Sequence, residues 1–291
     1  MKGLSISGYF HICTDGRVLP WMFQDENDFI AGVNRIGICH LRTHVKIVAY
    51  VLMDNHVHFV LHGTMPQCKN FINLYKQLTG TWIHLKYGET DYLKHLPTDI
   101  LPLDTEERVL NTIAYIDRNP MMAGYKFLPT EYPWGSARYL FRDSREDKTT
   151  NALASLTRRN KRTLLGTYIV LPDEWRIDDK GMICPDSFLD VATIESYFRT
   201  PAKYSYFLAR KLEGAVEQEL ESSQRTFIPD TELRRIVRNM ITQDFGTSQI
   251  KDLDINSRLN IARKLRYRYA STLKQISSMV HLDRTALDGF I

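Results

Sequence analysis

The chain has 291 residues, a length typical of about two domains. Its 43% hydrophobic and 25% charged residues exclude a wholly disordered chain, and a net charge of +4 permits a nucleic-acid partner without indicating one. The longest apolar run, residues 47–53, is too short to cross a bilayer, and the first residues lack the apolar core of a signal peptide. We therefore expect a cytoplasmic protein without membrane contact.

Strand and helix patterns alternate along the first half of the chain. The predicted order is strand, helix, strand, strand, helix, short strand and helix, over residues 4–14, 25–37, 45–53, 56–63, 71–85, 99–103 and 105–119. Pro120 is expected to stop the last helix. This order favours an α+β fold for residues 1–140, a ferredoxin-like antiparallel sheet with helices on one face.

The rest of the chain divides into two further parts. Residues 141–228 are polar, charged and interrupted by prolines, which predicts a partly helical connecting region. Residues 229–291 carry a helical pattern to the end and predict a mostly helical second domain. The four cysteines show no C-x-x-C spacing, which predicts reduced thiols and disfavours a cysteine-based zinc site.

The most informative segment for chemistry is residues 53–59, which contain His56 and His58 around Val57. Alternate side chains of a strand share a face, so the two imidazoles lie about 7 Å apart on the same side and can converge on one divalent ion. The plainer interpretation is a pair of polar strand residues facing solvent, which is common for a bare His-x-His. His62 shares the alternation, and we favour a surface role for it.

The second segment is the helix that precedes Pro120. Tyr115 and Asn119 are four residues apart and so share one face of this helix. An amide oxygen from Asn119 would suit a hard metal ion, whereas a tyrosine hydroxyl, with a free pKa of about 10, needs activation to act as a nucleophile. A helical tyrosine taken alone is more often a packing residue.

Three blocks, VKIVAYVLMDNHVHFVLHG, YIDRNPMMAGY and EYPWGSARYL, together resemble the single-tyrosine HUH transposases, in particular the REP-associated tyrosine transposase branch. The resemblance runs over residues 9–140 with the blocks in the family order. It implies that His56, His58 and Asn119 bind Mg²⁺ or Mn²⁺ and that Tyr115 is the nucleophile. It also implies single-stranded DNA, often near a hairpin, as the substrate.

The activity implied by this resemblance is DNA cleavage and strand transfer through a 5′-phosphotyrosine, that is, DNA transposition or recombination by an endonuclease. Two other functions stay open. One is a catalytically silent, domesticated DNA-binding regulator that keeps the scaffold. The other is a metal-dependent hydrolase that uses the histidine pair without a covalent intermediate.

Positive charge concentrates in two places. Residues 158–162 form a basic run that either contacts phosphate or lies in a solvated loop. Residues 231–291 carry eleven lysines and arginines against six acidic residues, so this segment accounts for the net charge of the chain. The candidate DNA-binding residues of the two regions are Arg158, Arg159, Lys161, Arg162, Arg263, Lys264 and Arg266.

The last part of the chain, residues 272–287, resembles a helix-turn-helix. His281 stands at the turn, where glycine is common, and Asp283 is a candidate cap for the second helix. Arg284 and Thr285 would then contact DNA from its first turn. Together with the preceding basic helix, the segment resembles the DNA-binding domain of the bacterial replication initiator, which implies duplex DNA as partner. A small helical bundle for protein contact is the alternative, and the oligomeric state stays open.

Overall fold

The computed structural model of the protein describes residues 6–16, 18–19, 21–123, 125–142, 151–165, 169–210, 230–247, 249–269, 271, 273–283 and 287. The chain divides into two compact units. The first unit consists of Met1–Met121 and Tyr125–Glu213, and the second consists of Met122–Gly124 and Gly214–Ile291. None of the helices in these described ranges is long and apolar enough to cross a membrane.

An antiparallel sheet forms the centre of the first unit. Its four strands lie in the order β2-β3-β1-β4, so the first strand in sequence pairs with both the third and the fourth. The fold is α+β, as the sequence predicts. In chain order the elements are β1 (Ser7–Thr14), α1 (Glu26–Thr43), β2 (Lys46–Leu52), β3 (Val57–Thr64), α2 (Met65–Tyr87), β4 (Thr98–Leu103) and α3 (Glu106–Met122).

Local sequence explains where the first two helices begin and end. The Asp25 side chain accepts a hydrogen bond from the first turn of α1, and this helix ends at His44, whose φ of 58° is left-handed. Thr64 and Gln67 form a reciprocal capping box at the start of α2. The end of α2 is Gly88, with a φ of 78° that glycine adopts without strain.

Helices lie on both faces of the sheet, and the expectation of helices on one face is wrong. On the first face, Phe59 of β3 packs against Phe71 and Tyr75 of α2, with ring centroids 5.2 and 5.1 Å apart. The side chain of His58 points to the opposite face, where its ring lies 6.0 Å from Tyr115 of α3. Side chains on both faces of β3 are buried, which shows that the second face is covered as well. A strand buried on both faces lacks the alternation of polar and apolar residues that would tell the two faces apart in the sequence.

Pro120 does not stop α3, contrary to the sequence-based expectation. The helix continues to Met122, with Pro120 inside it. Proline has no backbone N–H and so loses only its own helical hydrogen bond, while the residues after it can still form theirs. The helix begins as expected, since the Thr105 hydroxyl accepts a hydrogen bond from Arg108 N at 3.2 Å.

The described residues of the expected connecting region, within 141–210, belong to the first unit. Buried Asn34 of α1 donates to Gly181 O at 2.9 Å and accepts from Ile183 N at 2.7 Å. The backbone of Asp190 donates to Ile47 O of β2 at 2.8 Å. The elements of this segment are β5 (Asn151–Ala152), α4 (Arg158–Leu165), β6 (Arg176–Ile177), α5 (Val191–Phe198) and α6 (Pro201–Ala209).

The second unit is helical over its described residues. The helices are α7 (Asp230–Phe245), α8 (Ile255–Arg268) and α9 (Leu273–Val280). Asp254 caps α8 by accepting from Ser257 N at 2.9 Å. Arg284 and Thr285, expected in the recognition helix, lie outside the described residues. The buried core consists of Leu233, Val237, Ile241, Ile250, Ile261, Ala262, Leu265, Ile276, Met279, Val280 and Leu287.

His281 ends α9 in the conformation that a turn glycine usually adopts, with a φ of 53°. A side chain strains this backbone, so we expect His281→Gly to raise the free energy of unfolding by about 0.5–1 kcal/mol. His281→Ala keeps the Cβ and is the matched control. Denaturant unfolding followed by helical circular dichroism measures both variants. A glycine variant no more stable than the alanine variant would contradict the assignment.

Candidate functional site

Strands β1 and β3 place three metal-binding side chains on the face of the sheet opposite α2. Cys13 pairs directly with His58, and His11 lies two residues before Cys13, on the same face. The three residues are buried, with at most 2% of their surface exposed. Their ligand atoms lie within 4.8 Å of one another, so the group can hold a metal ion.

His11 and His58 are in direct contact. Nε2 of His11 lies 3.1 Å from Nδ1 of His58, and the two rings are nearly parallel, at 9°. Burial lowers the pKa of His11 to about 4. Burial, together with the neighbouring His56 and His11, lowers the pKa of His58 well below its usual range. Both rings are therefore neutral near neutral pH, which is the form that binds metals.

His56 lies in the turn immediately before β3 and faces the same group. Its ring centroid is 4.9 Å from that of His58, and the planes are at 81°. Nδ1 of His56 lies 2.8 Å from Oδ1 of Asn55, and the side chain is also hydrogen-bonded to Asn119. The rings of His56 and His58 therefore lie side by side, although only His58 belongs to the strand.

The loop after β1 fixes the position of His56. A Cβ on Gly16 would lie 2.7 Å from Nδ1 of His56, so any larger residue would displace the ring. Phe23 N donates to Asp54 O at 2.9 Å, which holds the turn before His56 against this loop. Burial lowers the pKa of His56 to about 4, and the carboxylates of Asp54 and Asp15 oppose the shift. His56 is therefore held as a neutral imidazole.

Helix α3 brings Tyr115 and Asn119 to the histidines. Asn119 is one turn after Tyr115 on the same face, and its Nδ2 lies 3.5 Å from Tyr115 O. The Tyr115 ring lies 6.0 Å from that of His58 and 6.3 Å from that of His11. Tyr115, Asn119 and His56 are half-buried, so the group is accessible from this side. The structure therefore brings together His56, His58, Tyr115 and Asn119.

Asp117 anchors the opposite side of α3. Its carboxyl accepts a hydrogen bond from the Tyr204 hydroxyl at 2.7 Å and lies 3.5 Å from the Ser136 hydroxyl. Ser136 Oγ also accepts from Tyr50 N of β2 at 3.0 Å, which connects the helix to the sheet. Burial raises the pKa of Asp117 to about 7, while the two hydroxyls oppose the shift. The carboxyl therefore ties α3 to Tyr204 and, through Ser136, to the sheet.

The raised pKa of Asp117 gives a stability prediction with a definite sign. The folded state keeps the Asp117 carboxyl protonated up to about pH 7, whereas the unfolded state loses this proton near pH 3.8. The free energy of unfolding of the native chain therefore falls as the pH rises between these two values. Asp117→Asn keeps neutral hydrogen bonds at every pH. We therefore expect the stability of this variant relative to the native chain to improve by about 2–3 kcal/mol from pH 5 to pH 8.

Urea unfolding at the two pH values measures this difference. Glu106→Gln removes an exposed carboxylate from the same helix and is the matched control. A stability difference between Asp117→Asn and the native chain that does not change with pH would show that the buried carboxyl is already ionised at pH 5.

The basic residues expected to contact DNA lie on two exposed helices, one in each unit. Arg158, Arg159 and Arg162 on α4 are exposed, as are Arg263 and Arg266 on α8. The remaining two described candidates form ion pairs. Lys161 pairs with Asp173 at 3.3 Å, and Lys264 pairs with Asp244 at 2.7 Å.

Sequence reasoning missed His11 and Cys13. The His-x-Cys spacing on β1 places both side chains on one face of a strand, and this signal was available. Whether these two side chains lie near His58 depends on the pairing of β1 with β3, which brings together His11 and His58 from positions 47 residues apart. A search for C-x-x-C spacing does not detect a site assembled from two strands in this way.

The site therefore contains two overlapping donor sets. His56, His58 and Asn119 offer two imidazole nitrogens and an amide oxygen, whereas His11, Cys13 and His58 offer two imidazoles and a thiol. His58 belongs to both sets. Comparison with protein-family models, with curated proteins and with solved structures found no match to this chain.

Proposed function

We propose that the protein is a DNA-strand transferase of the HUH single-tyrosine type, in the REP-associated tyrosine transposase branch. It cleaves single-stranded DNA in a metal-dependent reaction, near hairpin or repeat sequences, and rejoins it through a 5′-phosphotyrosine. The proposal includes a ferredoxin-like catalytic domain, with which the strand order β2-β3-β1-β4 is consistent.

One observation supports the proposal most strongly. The pair His56 and His58 and the pair Tyr115 and Asn119, which the sequence singles out in two distant segments, lie together in the structure. Tyr115 lies beside His58, with ring centroids 6.0 Å apart, and Asn119 is hydrogen-bonded to His56. An accidental tyrosine on α3 would have no reason to face two neutral histidines. The convergence of a nucleophile with metal-binding groups is the arrangement that phosphoryl transfer needs.

The residues present fit a divalent metal ion. His56 and His58 are neutral because burial lowers both pKa values, and Asn119 adds an oxygen donor of the kind that Mg²⁺ and Mn²⁺ prefer. Such an ion would polarise the scissile phosphate and stabilise the leaving oxygen. His11 would act as a positioning residue, since its contact with Nδ1 of His58 leaves Nε2 of His58 for the ion.

Tyr115 performs the covalent step. Its hydroxyl oxygen bonds to the phosphorus while the bond from phosphorus to the 3′ oxygen breaks, and the 3′ oxygen receives the proton that the tyrosine loses. The new phosphotyrosine ester keeps the energy of the broken bond, so a later 3′-hydroxyl can displace Tyr115 and restore the DNA without a nucleotide cofactor. The half-buried position of Tyr115 requires an unpaired strand that can approach the group.

The helical unit at the end of the chain would bind duplex DNA. Arg263 and Arg266 on α8 are exposed and carry the basic character found in the sequence. His281, at the proposed turn, has a left-handed φ of 53°, which is the conformation that a turn glycine commonly adopts. This part of the proposal predicts binding that weakens as the salt concentration rises.

A labelled single strand that carries a hairpin, incubated with the protein and Mn²⁺, tests the proposal on a denaturing gel. We expect a labelled species that migrates with the protein and a shortened strand that ends in a 3′-hydroxyl. Cleavage without a covalent species would support the metal-dependent hydrolase instead. Absence of cleavage on a set of hairpin substrates, with duplex binding intact, would support the silent regulator.

A further inference from the structure

We propose that His11, Cys13 and His58 form a second metal site that prefers zinc, and that zinc bound there stops DNA cleavage. The binding part stands on the geometry of these three residues alone. The inhibition part rests on the function proposed above, because it assumes that His58 also serves the ion used in cleavage.

The donor set differs from that of the cleavage site. A thiol and two imidazoles are ligands that Zn²⁺ favours and that Mg²⁺ avoids. Because the three ligand atoms lie within 4.8 Å of one another, one point lies within about 2.8 Å of all three, close to zinc bond lengths of about 2.0–2.3 Å. Small side-chain rotations therefore suffice to bring Cys13, His11 and His58 onto one ion.

The hydrogen bonds of His11 do not account for its complete burial. No surface of this residue is exposed, and within the described residues its Nδ1 has no hydrogen-bond partner. A buried polar atom without a partner costs about 1–3 kcal/mol, and zinc bound at Nε2 would offset this cost without removing it. Its other nitrogen, Nε2, faces His58 at 3.1 Å, close to the separation of about 3.3 Å between two ligands of a tetrahedral zinc ion.

His58 cannot serve both ions at once. A neutral imidazole has one nitrogen with a free lone pair, and the other nitrogen carries the proton. Because Nδ1 of His58 faces His11, zinc on that side takes the Nδ1 lone pair and leaves the proton on Nε2. The ion held with His56 and Asn119 then loses a ligand. Zinc binding also releases the thiol proton of Cys13, since the thiolate is the ligand.

Cobalt(II), a spectroscopic substitute for zinc, tests the site directly on the full-length protein. We expect Co²⁺ to give an intense sulfur-to-cobalt charge-transfer band together with the visible bands of a tetrahedral ion, and zinc to abolish them. Cys13→Ser should lose the charge-transfer band, and Cys13→Ala repeats this test if the serine variant does not fold. Cys68→Ser, which alters a buried thiol on α2, is the matched control and should keep the band.

A native chain without the band, or a band that persists in folded Cys13→Ser, would overturn the zinc site.

Inhibition is measured by titrating Zn²⁺ into the Mn²⁺-dependent cleavage reaction. We expect Cys13→Ser to need at least about ten times more zinc for half-inhibition, since loss of even an outer-shell group costs about 10- to 100-fold in metal affinity. Equal inhibition of Cys13→Ser and Cys68→Ser would overturn the inhibition. Failure of the proposed cleavage activity leaves the cobalt result intact, so the two failures are distinguishable.

Discussion

Replacement of Tyr115 by phenylalanine is expected to abolish the covalent protein–DNA species completely. Phenylalanine keeps the ring that packs 6.0 Å from His58 but lacks the only atom able to bond to phosphorus. The variant should therefore fold and bind single-stranded DNA as the native chain does. A denaturing gel with labelled DNA and Mn²⁺ measures the loss of the adduct, and a gel-shift experiment measures the retained binding.

Tyr197→Phe is the matched control for this experiment. Tyr197 is also half-buried, and its hydroxyl lies 2.9 Å from that of Tyr9. We expect this variant to form the adduct at the native rate. An adduct that survives in Tyr115→Phe would reject Tyr115 as nucleophile.

Replacement of His56 by alanine is expected to reduce metal-dependent cleavage by more than about a hundredfold, since loss of even an outer-shell group costs about 10- to 100-fold in affinity or activity. His56 supplies one of two imidazoles, and its side chain is also bonded to Asn119. The rate of adduct formation over a series of Mn²⁺ concentrations measures the effect. Higher metal concentration should restore part of the rate, because the change weakens the metal site and leaves Tyr115 in place.

His62→Ala is the matched control, since His62 lies on the same face of β3 but packs against Tyr9, with ring centroids 4.6 Å apart and planes tilted by 42°. Native cleavage is expected in this variant. Binding of duplex DNA should be unchanged in both variants, because the proposed duplex-binding residues lie in the helical unit. Loss of duplex binding in His56→Ala would contradict the separation of the two functions.

The local patterns of the sequence predicted the elements of the sheet. Apolar and β-branched residues around Tyr50 and Phe59 identified two strands, and Asp54 identified the turn between them. The prediction for α1 stopped at residue 37, whereas the helix continues to Thr43. Burial of the second face depends on contacts such as that of His58 with Tyr115, which are distant in sequence. The packing of Gly181 and Ile183 on Asn34 joins residues more than a hundred positions apart, and no local pattern encodes either contact.

The sequence predicted those parts of the candidate site in which two residues lie close together within one segment of the chain. His56 and His58 flank Val57 at the start of β3, and Tyr115 and Asn119 share a helix face, so the four residues were found as two pairs. The meeting of the pairs is a tertiary contact, and only the family resemblance connected them before the structure. His11 was missed because its relation to His58 follows from the register of β1 against β3.

Mass spectrometry of the trapped protein–DNA species tests the central claim most directly. After reaction with a labelled single strand and Mn²⁺, nuclease and protease digestion leave a nucleotide on the peptide that was attacked. The account predicts that this nucleotide is attached through a 5′-phosphate to the hydroxyl of Tyr115. A nucleotide on any other residue, or cleaved DNA with no modified peptide, would contradict the assignment of Tyr115 as the nucleophile.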